Sequence, residues 1–355
     1  MALGGRKGTI GLDIGSSSIK VTELKETKKG YFLQNFGVTP LPPEVIVDGT
    51  LMNSPAIVEG IQTLLNERKI KTKEAVTSVS GQSVMIKKIS LPAMTEDELE
   101  DQIQWEAEQY IPFDINDVNI DFQIMSPSDD EGNMDVLLVA AKKDMINDYL
   151  AVITEAGLVP VVVDVDAFAL ENMYEINYQI MENEVLALVN IGASVINIAI
   201  TQNGQYVFGR DVSSGGNLYT EEIQKQLSVS YEEAEMLKLG GSATGETEAV
   251  MRQEVEAVIR SISEQLSGEI ARSLDFYQAS ASEEAINKIW LSGGSCKVSG
   301  LAETIQRKQN IPTEILDPFR NVDRNPKQFD PAYLEEVGAQ SAVSVGLALR
   351  RVGDK

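Results

Sequence analysis

One short pattern occurs twice in this chain and constrains its fold more than any other feature. LDIGSSSIKVTEL, from Leu12, and VNIGASVINIAI, from Val189, each place an acid or its amide, an isoleucine, a glycine and small residues in the turn of a predicted β-hairpin. A hairpin device used twice predicts two related halves facing each other. A turn of glycine and small hydroxyl residues brings backbone N–H groups close to an anion without side-chain obstruction. The segment Ile10–Lys20 is therefore read as a strand, a phosphate-gripping turn (Gly15, Ser16, Ser17, Ser18) and a return strand, and the expected ligand is ATP or a close relative. Asp13 ends the incoming strand, where a carboxylate would hold Mg²⁺ through its water shell. Lys20 could offer a cation to the same phosphates, or face solvent. Gly192, Ala193 and Ser194 form the second turn, entered from Asn190.

The pattern along the chain is mixed α/β. Strands are expected at Thr9 to Ile14, Ile19 to Leu24 and Tyr31 to Val38; then a helix capped by Asn53-Ser54-Pro55 and ending near Lys69, and a strand at Ala75 to Ser80. From Ser83 to about Leu158 the order changes to strand, helix, strand, strand, helix, as in a compact insertion. Its first helix opens with a capping box, Thr95 with Glu98, and stripes Leu99, Ile103, Ala107 and Ile111 along one side. Seven carboxylates between Glu96 and Glu108 read as a solvated face, with an electrostatic docking surface for a basic partner as the alternative. Val159 to Val165, apolar except for Asp164, predicts a buried strand, and Ala167 to Asn177 a helix. A second meander runs from Val185 through the Asn203-Gly204 turn to Val212. A helical region from Asn217 to Ala281, interrupted near Gly240-Gly241, leads to a strand at Ile286 to Leu291. That strand empties into a Gly-Gly turn, Gly293, Gly294 and Ser295, against which a flat base or a phosphate can lie. Glu235 and Lys238 share a helical face at i,i+3, which by itself describes a surface salt bridge.

Composition excludes several function classes. The 355 residues contain 30 basic and 54 acidic side chains, a formal charge of −24, which disfavours nucleic acid and anionic lipid surfaces. Histidine is absent, so imidazole metal sites and histidine bases are ruled out. A single cysteine, Cys296, allows no intramolecular disulfide, and no secretory leader or ~20-residue apolar run is present, so a cytoplasmic location is expected.

Taken in order, these segments resemble the actin-like ATPase superfamily: IGLDIGSSSIK as first phosphate motif, VDVDAFAL (Val163–Leu170) as first connector, LVNIGASVINI as second phosphate motif, LSGGSCKVSGL as adenosine loop and VGAQSAVSVGLALR (Val337–Arg350) as second connector. PLPPEVIVDGTLMNS, IQWEAEQYIPFD, LLVAAKKDMINDY and RDVSSGGNLYTEEIQKQL resemble the PilM family of type IV pilus assembly, the machinery of twitching motility.

The resemblance implies duplicated ribonuclease H-like halves with an inserted FtsA/PilM-type 1C (SHS2) subdomain. The expected division is 1–82 with 159–182 and 337–355 as subdomain 1A, 83–158 as 1C, and 183–336 as the second half, 2A and 2B. It also implies ATP and Mg²⁺ as ligands, with Gly215 and Gly216 at the nucleotide and Glu235 and Lys238 reaching ribose and base. Strong ATPases of the superfamily begin the second phosphate motif with aspartate, where this chain has Asn190, so slow hydrolysis is expected, with Asp13 and Asp166 as the carboxylate pair. The implied partner is the N-terminal cytoplasmic segment of PilN, in a groove between 1A and 1C near Ser80–Ile89, with other pilus assembly proteins beyond it. The implied location is the inner face of the bacterial inner membrane, reached through partners. The alternatives are an FtsA-like division protein, whose relatives end in a linker and amphipathic membrane helix where this chain stops after its last connector; a cytomotive filament; and a small-molecule kinase.

Overall fold

The recurring hairpin opens two sheets with one shared strand order. In the computed structural model, which describes residues 8–126, 132–241, 248–280 and 285–354, the first sheet contains β1 (Ile10–Ile14), β2 (Ser18–Thr27) and β3 (Gly30–Pro40). A small hairpin, β4 (Ile46–Val47) and β5 (Thr50–Leu51), precedes α1 (Ser54–Glu67) and β6 (Glu74–Val79). Asn53 caps α1 by accepting the Ala56 N–H, Pro55 sits in its first turn, and Lys69 stops the chain at φ +54°. Ile57, Ile61 and Leu64 are wholly buried, each contributing about 1.5–3 kcal/mol of transfer free energy as an upper estimate.

Next come β7 (Val84–Pro92), α2 (Glu96–Ala107), β8 (Val118–Ser126), β9 (Asn133–Lys142) and α3 (Lys143–Glu155). The three strands form their own sheet in the order β7-β9-β8. Leu99, Ile103 and Ala107 of α2, together with Ile111 just beyond its end, pack with Ile89, Leu91, Val136 and Leu138 into a separate core. The capping box at Thr95 and Glu98 forms, and six of the seven carboxylates are exposed.

β10 (Val159–Val165) and α4 (Asp166–Asn177) return the chain to the first sheet. The second sheet is built from β11 (Val185–Ile191), β12 (Ile196–Gln202) and β13 (Gln205–Val212). It is followed by α5 (Asn217–Leu227), α6 (Tyr231–Lys238) and α7 (Glu248–Ser280), then β14 (Lys288–Ser292), α8 (Leu301–Gln309) and β15 (Thr313–Ile315). β16 (Val322–Arg324), α9 (Pro331–Val337) and α10 (Ala342–Leu349) close the fold.

The first sheet runs β10-β6-β1-β2-β3-β16 and the second β13-β12-β11-β14-β15. In both, an antiparallel three-strand meander pairs its first strand in parallel with the next strand, which pairs in parallel with the last. β16 is the addition to the first sheet, parallel to β3. The connectors α4 and α10 cross at a seam of small residues. A Cβ on Gly346 would come within 1.7 Å of the Ala169 carbonyl, and one on Gly11 within 2.2 Å of the Ser344 carbonyl. Only glycine permits these approaches.

Three expectations change. Val159–Val165 is the edge strand of its sheet, with Val159 exposed and the next four residues half-buried; its apolar run lies along a border rather than inside. The helical region after Asn217 breaks first at Ser228, whose left-handed φ of +56° ends α5, before the break near Gly240. Its expected last residue, Ala281, and residues 242–247 lie outside the described residues. The strand expected from Ile286 starts at Lys288.

Candidate functional site

The two turns close alike. The Gly15 N–H donates to the Ser18 carbonyl at 3.1 Å, and the Gly192 N–H to that of Val195 at 3.0 Å. They meet face to face, the Ser194 hydroxyl donating to that of Ser16 at 2.9 Å. Asn217, in the first turn of α5, donates to Ser194 at 3.3 Å. Around them lies a cavity of about 910 Å³ lined by both turns, by Asp13, Lys20 and Asp166, by Asn190, by Glu235 and Lys238, and by Gly293, Gly294 and Ser295. Residues from five separated stretches of sequence thus share one cleft.

Its floor carries the carboxylates. Asp13 is ion-paired with Lys20 at 3.2 Å, so the lysine faces the turn rather than solvent. Asp166, in the first turn of α4, accepts a hydrogen bond from Ser78 at 2.6 Å. Burial, and then the nearby charge of Asp13, push its carboxyl up to about 7 against the opposing donation from Ser78 and Ser80. Asn190 donates through Nδ2 to Asn197 Oδ1 at 2.9 Å and accepts at Oδ1 from the Ser292 hydroxyl at 3.3 Å.

One wall comes from α6, capped by the Ser230 hydroxyl. Lys238 Nζ lies 2.5 Å from Glu235 Oε1 and 3.1 Å from Thr220 Oγ1, and Thr220 in turn donates to Glu235. Opposite, the Gly-Gly turn presses on the second hairpin. Gly293 has φ +86°, and a Cβ there would stand 2.3 Å from the Ile191 carbonyl. Its N–H donates to Ala339 at 2.8 Å, and Ser295 Oγ donates to the Gly192 carbonyl at 3.0 Å.

Gly215 and Gly216 do not line the cavity. They pack beneath the second turn: the Gly216 N–H donates to the Gly192 carbonyl at 2.9 Å, and a Cβ on Gly215 would lie 2.5 Å from the Ala193 carbonyl. Their smallness shapes the turn from behind.

The cavity also has walls that sequence reading missed: Ser78 of β6 with Ser80, Gly81 and Gln82 just after it, Met145 and Tyr149 of α3, and Arg252 of α7. Tyr149 reads as an ordinary core residue of an amphipathic helix, and no local signal marks it. Its role follows from where α3 packs. Burial, with Asp166 and Asp13 nearby, drives its phenol well above the usual range.

A family model described as type IV pilus assembly protein PilM matches residues 11–352. A solved PilM-PilN type IV pilus biogenesis complex contains a chain 29% identical, superposing with a TM-score of 0.87 over 99% of this chain and 100% of that one. MreB5 of Spiroplasma citri, solved bound to AMPPNP, shares the fold at 13% identity, with a TM-score of 0.53 over 96% of this chain and 95% of its own. Among curated proteins, the ethanolamine utilization protein EutJ of Escherichia coli is 26% identical over 121 residues, and the cell division protein FtsA of Bacillus subtilis 23% over 256. Those matches span 34% and 64% of this chain, and 37% and 57% of the two relatives' own lengths. The fold is that of the actin-like ATPases, and the chain belongs to the PilM family of type IV pilus assembly proteins.

Proposed function

We propose that the cleft binds ATP with Mg²⁺, and that the nucleotide serves mainly as a ligand fixing the angle between the two halves, with slow hydrolysis. The carrying observation is the pair of matched glycine turns meeting at Ser16 and Ser194 in one cavity. The residues fit such a ligand. Gly294 lines the cavity with no side chain, and a Cβ there would meet nothing nearer than Gln340 at 3.8 Å; the turns offer backbone to phosphate, and Lys20 supplies a cation at the same place. Among the described residues no cluster of three or more Asp, Glu, Cys or His stands ready to hold an ion. Asp13 would therefore take Mg²⁺ through its water shell, and the metal would supply charge to the phosphates. Glu235 and Lys238, which line the cavity, would reach ribose and base. Asn190, in the position of the superfamily's aspartate, lacks the charge that concentrates Mg²⁺ and polarises water, so turnover is slow with Asp13 and Asp166 alone.

The proposed partner is a PilN protein, in keeping with the name of the similar PilM-PilN complex, and the proposed point of contact is its N-terminal cytoplasmic segment. The proposed subdomains are those given above, with 83–158 as 1C. β10 and β7 are both edge strands, and Val159 and the half-buried residues after it give the β10 border an apolar character suited to an extended segment. No helix among the described residues is long and apolar enough to cross a membrane, so attachment to the inner face of the inner membrane runs through such partners. Calorimetry with ATP·Mg²⁺, and with a PilN N-terminal peptide in its presence and absence, tests both parts. Tight ATP binding with a nucleotide-dependent peptide affinity is expected. ATP binding without peptide binding under any condition would overturn the partner, and absence of ATP binding would overturn the ligand.

A further inference from the structure

Four neighbouring strands of the second half carry polar side chains in register. Ser292 on β14 pairs with Asn190 on β11, Asn190 with Asn197 on β12, and Asn197 with Asp211 on β13. Their side chains form one hydrogen-bonded row. Ser292 donates to Asn190 Oδ1, Asn190 Nδ2 to Asn197 Oδ1 at 2.9 Å, and Asn197 Nδ2 to Asp211 Oδ1 at 2.9 Å. The other oxygen of Asp211 accepts the Gly81 N–H at 2.5 Å, from the turn between β6 and β7 in the opposite half.

An asparagine amide is nearly symmetric in shape, so on its own it can present either oxygen or nitrogen to a neighbour. A carboxylate with two N–H donors cannot be reversed, because it only accepts. Asp211 therefore obliges Asn197 to turn its NH₂ outward and its oxygen inward. That oxygen obliges Asn190 to give its own NH₂ to the row and to carry its carbonyl oxygen on the far side. Resting on the reading of the cleft as a site for ATP·Mg²⁺, we propose that Asp211 is a positioning residue. Through Asn197 it sets the amide of Asn190 so that a carbonyl oxygen is offered to the hydrated cation, and it holds that setting while Gly81 docks from the other half. Asp211 does not itself line the cavity.

The test is Asp211→Asn. A neutral amide at 211 can still accept the Gly81 N–H, but it now gives its NH₂ to Asn197, and the whole row inverts, leaving Asn190 with nitrogen toward Ser292. Affinity for ATP is measured by calorimetry in Mg²⁺ and again in EDTA, for wild type, Asp211→Asn and Asn197→Ala, with circular dichroism as a check on folding. Wild type should bind more tightly with Mg²⁺, and in Asp211→Asn that strengthening should fall by about tenfold while affinity in EDTA stays within about twofold. Asn197→Ala, which removes the middle of the row, should lose the strengthening too. An unchanged ratio in both folded variants overturns the positioning role and leaves the ATP site standing. If wild type binds no ATP, the site reading falls, and this role with it.

Discussion

Ser16 and Ser194, 178 positions apart in sequence, share a hydroxyl–hydroxyl hydrogen bond of 2.9 Å that joins the two glycine turns across the cleft. The bond spans the two halves, so it helps hold them closed. A hydrogen bond of this kind contributes about 1 kcal/mol. Amide hydrogen exchange in the turns 15–18 and 192–195 should therefore accelerate about fivefold in Ser16→Ala or Ser194→Ala. The double variant should exchange no faster than Ser194→Ala, which already lacks both the shared bond and the one from Asn217. Additive acceleration would mean that the hydroxyls act separately.

Gly293 and Gly300 have nearly the same backbone φ, +86° and +80°, yet alanine should affect them very differently. At Gly300 nothing lies within 4 Å of a built Cβ, so Gly300→Ala costs only the left-handed penalty of about 1–2 kcal/mol. At Gly293 the Cβ would stand 2.3 Å from the Ile191 carbonyl. Strain and displacement of the second turn together should then exceed about 3 kcal/mol. Urea unfolding of the two variants gives the comparison; equal losses would show that φ alone decides.

Which parts of this were legible in sequence follows from how local each cause is. The two turns, the α1 and α2 caps and the Asn203-Gly204 hairpin depend on residues a few positions apart, and the structure has them, with Asn203 and Gly204 both at positive φ. Ser228 ends a helix in a conformation that glycine or asparagine usually supplies, and nothing in SVSYEE announces it. β15, β16 and α9 are short, and β16 pairs with β3, at the other end of the chain. Val159–Val165 shows the same limit: an apolar run reads identically at the centre and at the border of a sheet. In the cleft, the glycines that line it and the glycines that only brace it, Gly215 and Gly216, carry the same sequence signal. Tyr149 and Ser78 carry none, since they reach the cavity through the packing of α3 and β6.

Asp166 makes stability depend on pH in a direction opposite to that of most carboxylates. Its folded carboxyl titrates at about 7 against an ordinary value of 3.8, because burial and Asp13 disfavour the charge. The folded state thus holds a proton that the unfolded chain releases at lower pH. Its contribution is fully present below about 4 and is lost as pH rises toward 7. Asp166→Asn, which keeps the oxygen that accepts from Ser78 but cannot ionise, should match wild type near pH 4. Above pH 7 it should be more stable by an amount on the order of 2–4 kcal/mol. Urea midpoints of both proteins across this range give the difference, and parallel profiles would place the ionised form comfortably in the fold.

Asn190→Asp, the substitution that would restore the superfamily's carboxylate, should not be tolerated alone. The new carboxylate would face Asn197 Oδ1, which now accepts from Asn190 Nδ2, and Asn197 cannot turn because Asp211 takes its NH₂. Two acceptors in contact, with the lost hydrogen bond, should cost about 1–3 kcal/mol. Adding Asp211→Asn reverses the row. Residue 211 then donates to Asn197, Asn197 donates to the carboxylate at 190, and the Gly81 N–H still finds an oxygen. The double variant should recover to within about 1 kcal/mol of wild type, although each substitution on its own disturbs the row. Urea unfolding of the four proteins completes the cycle. Losses that simply add would show that the two sites are not joined through Asn197.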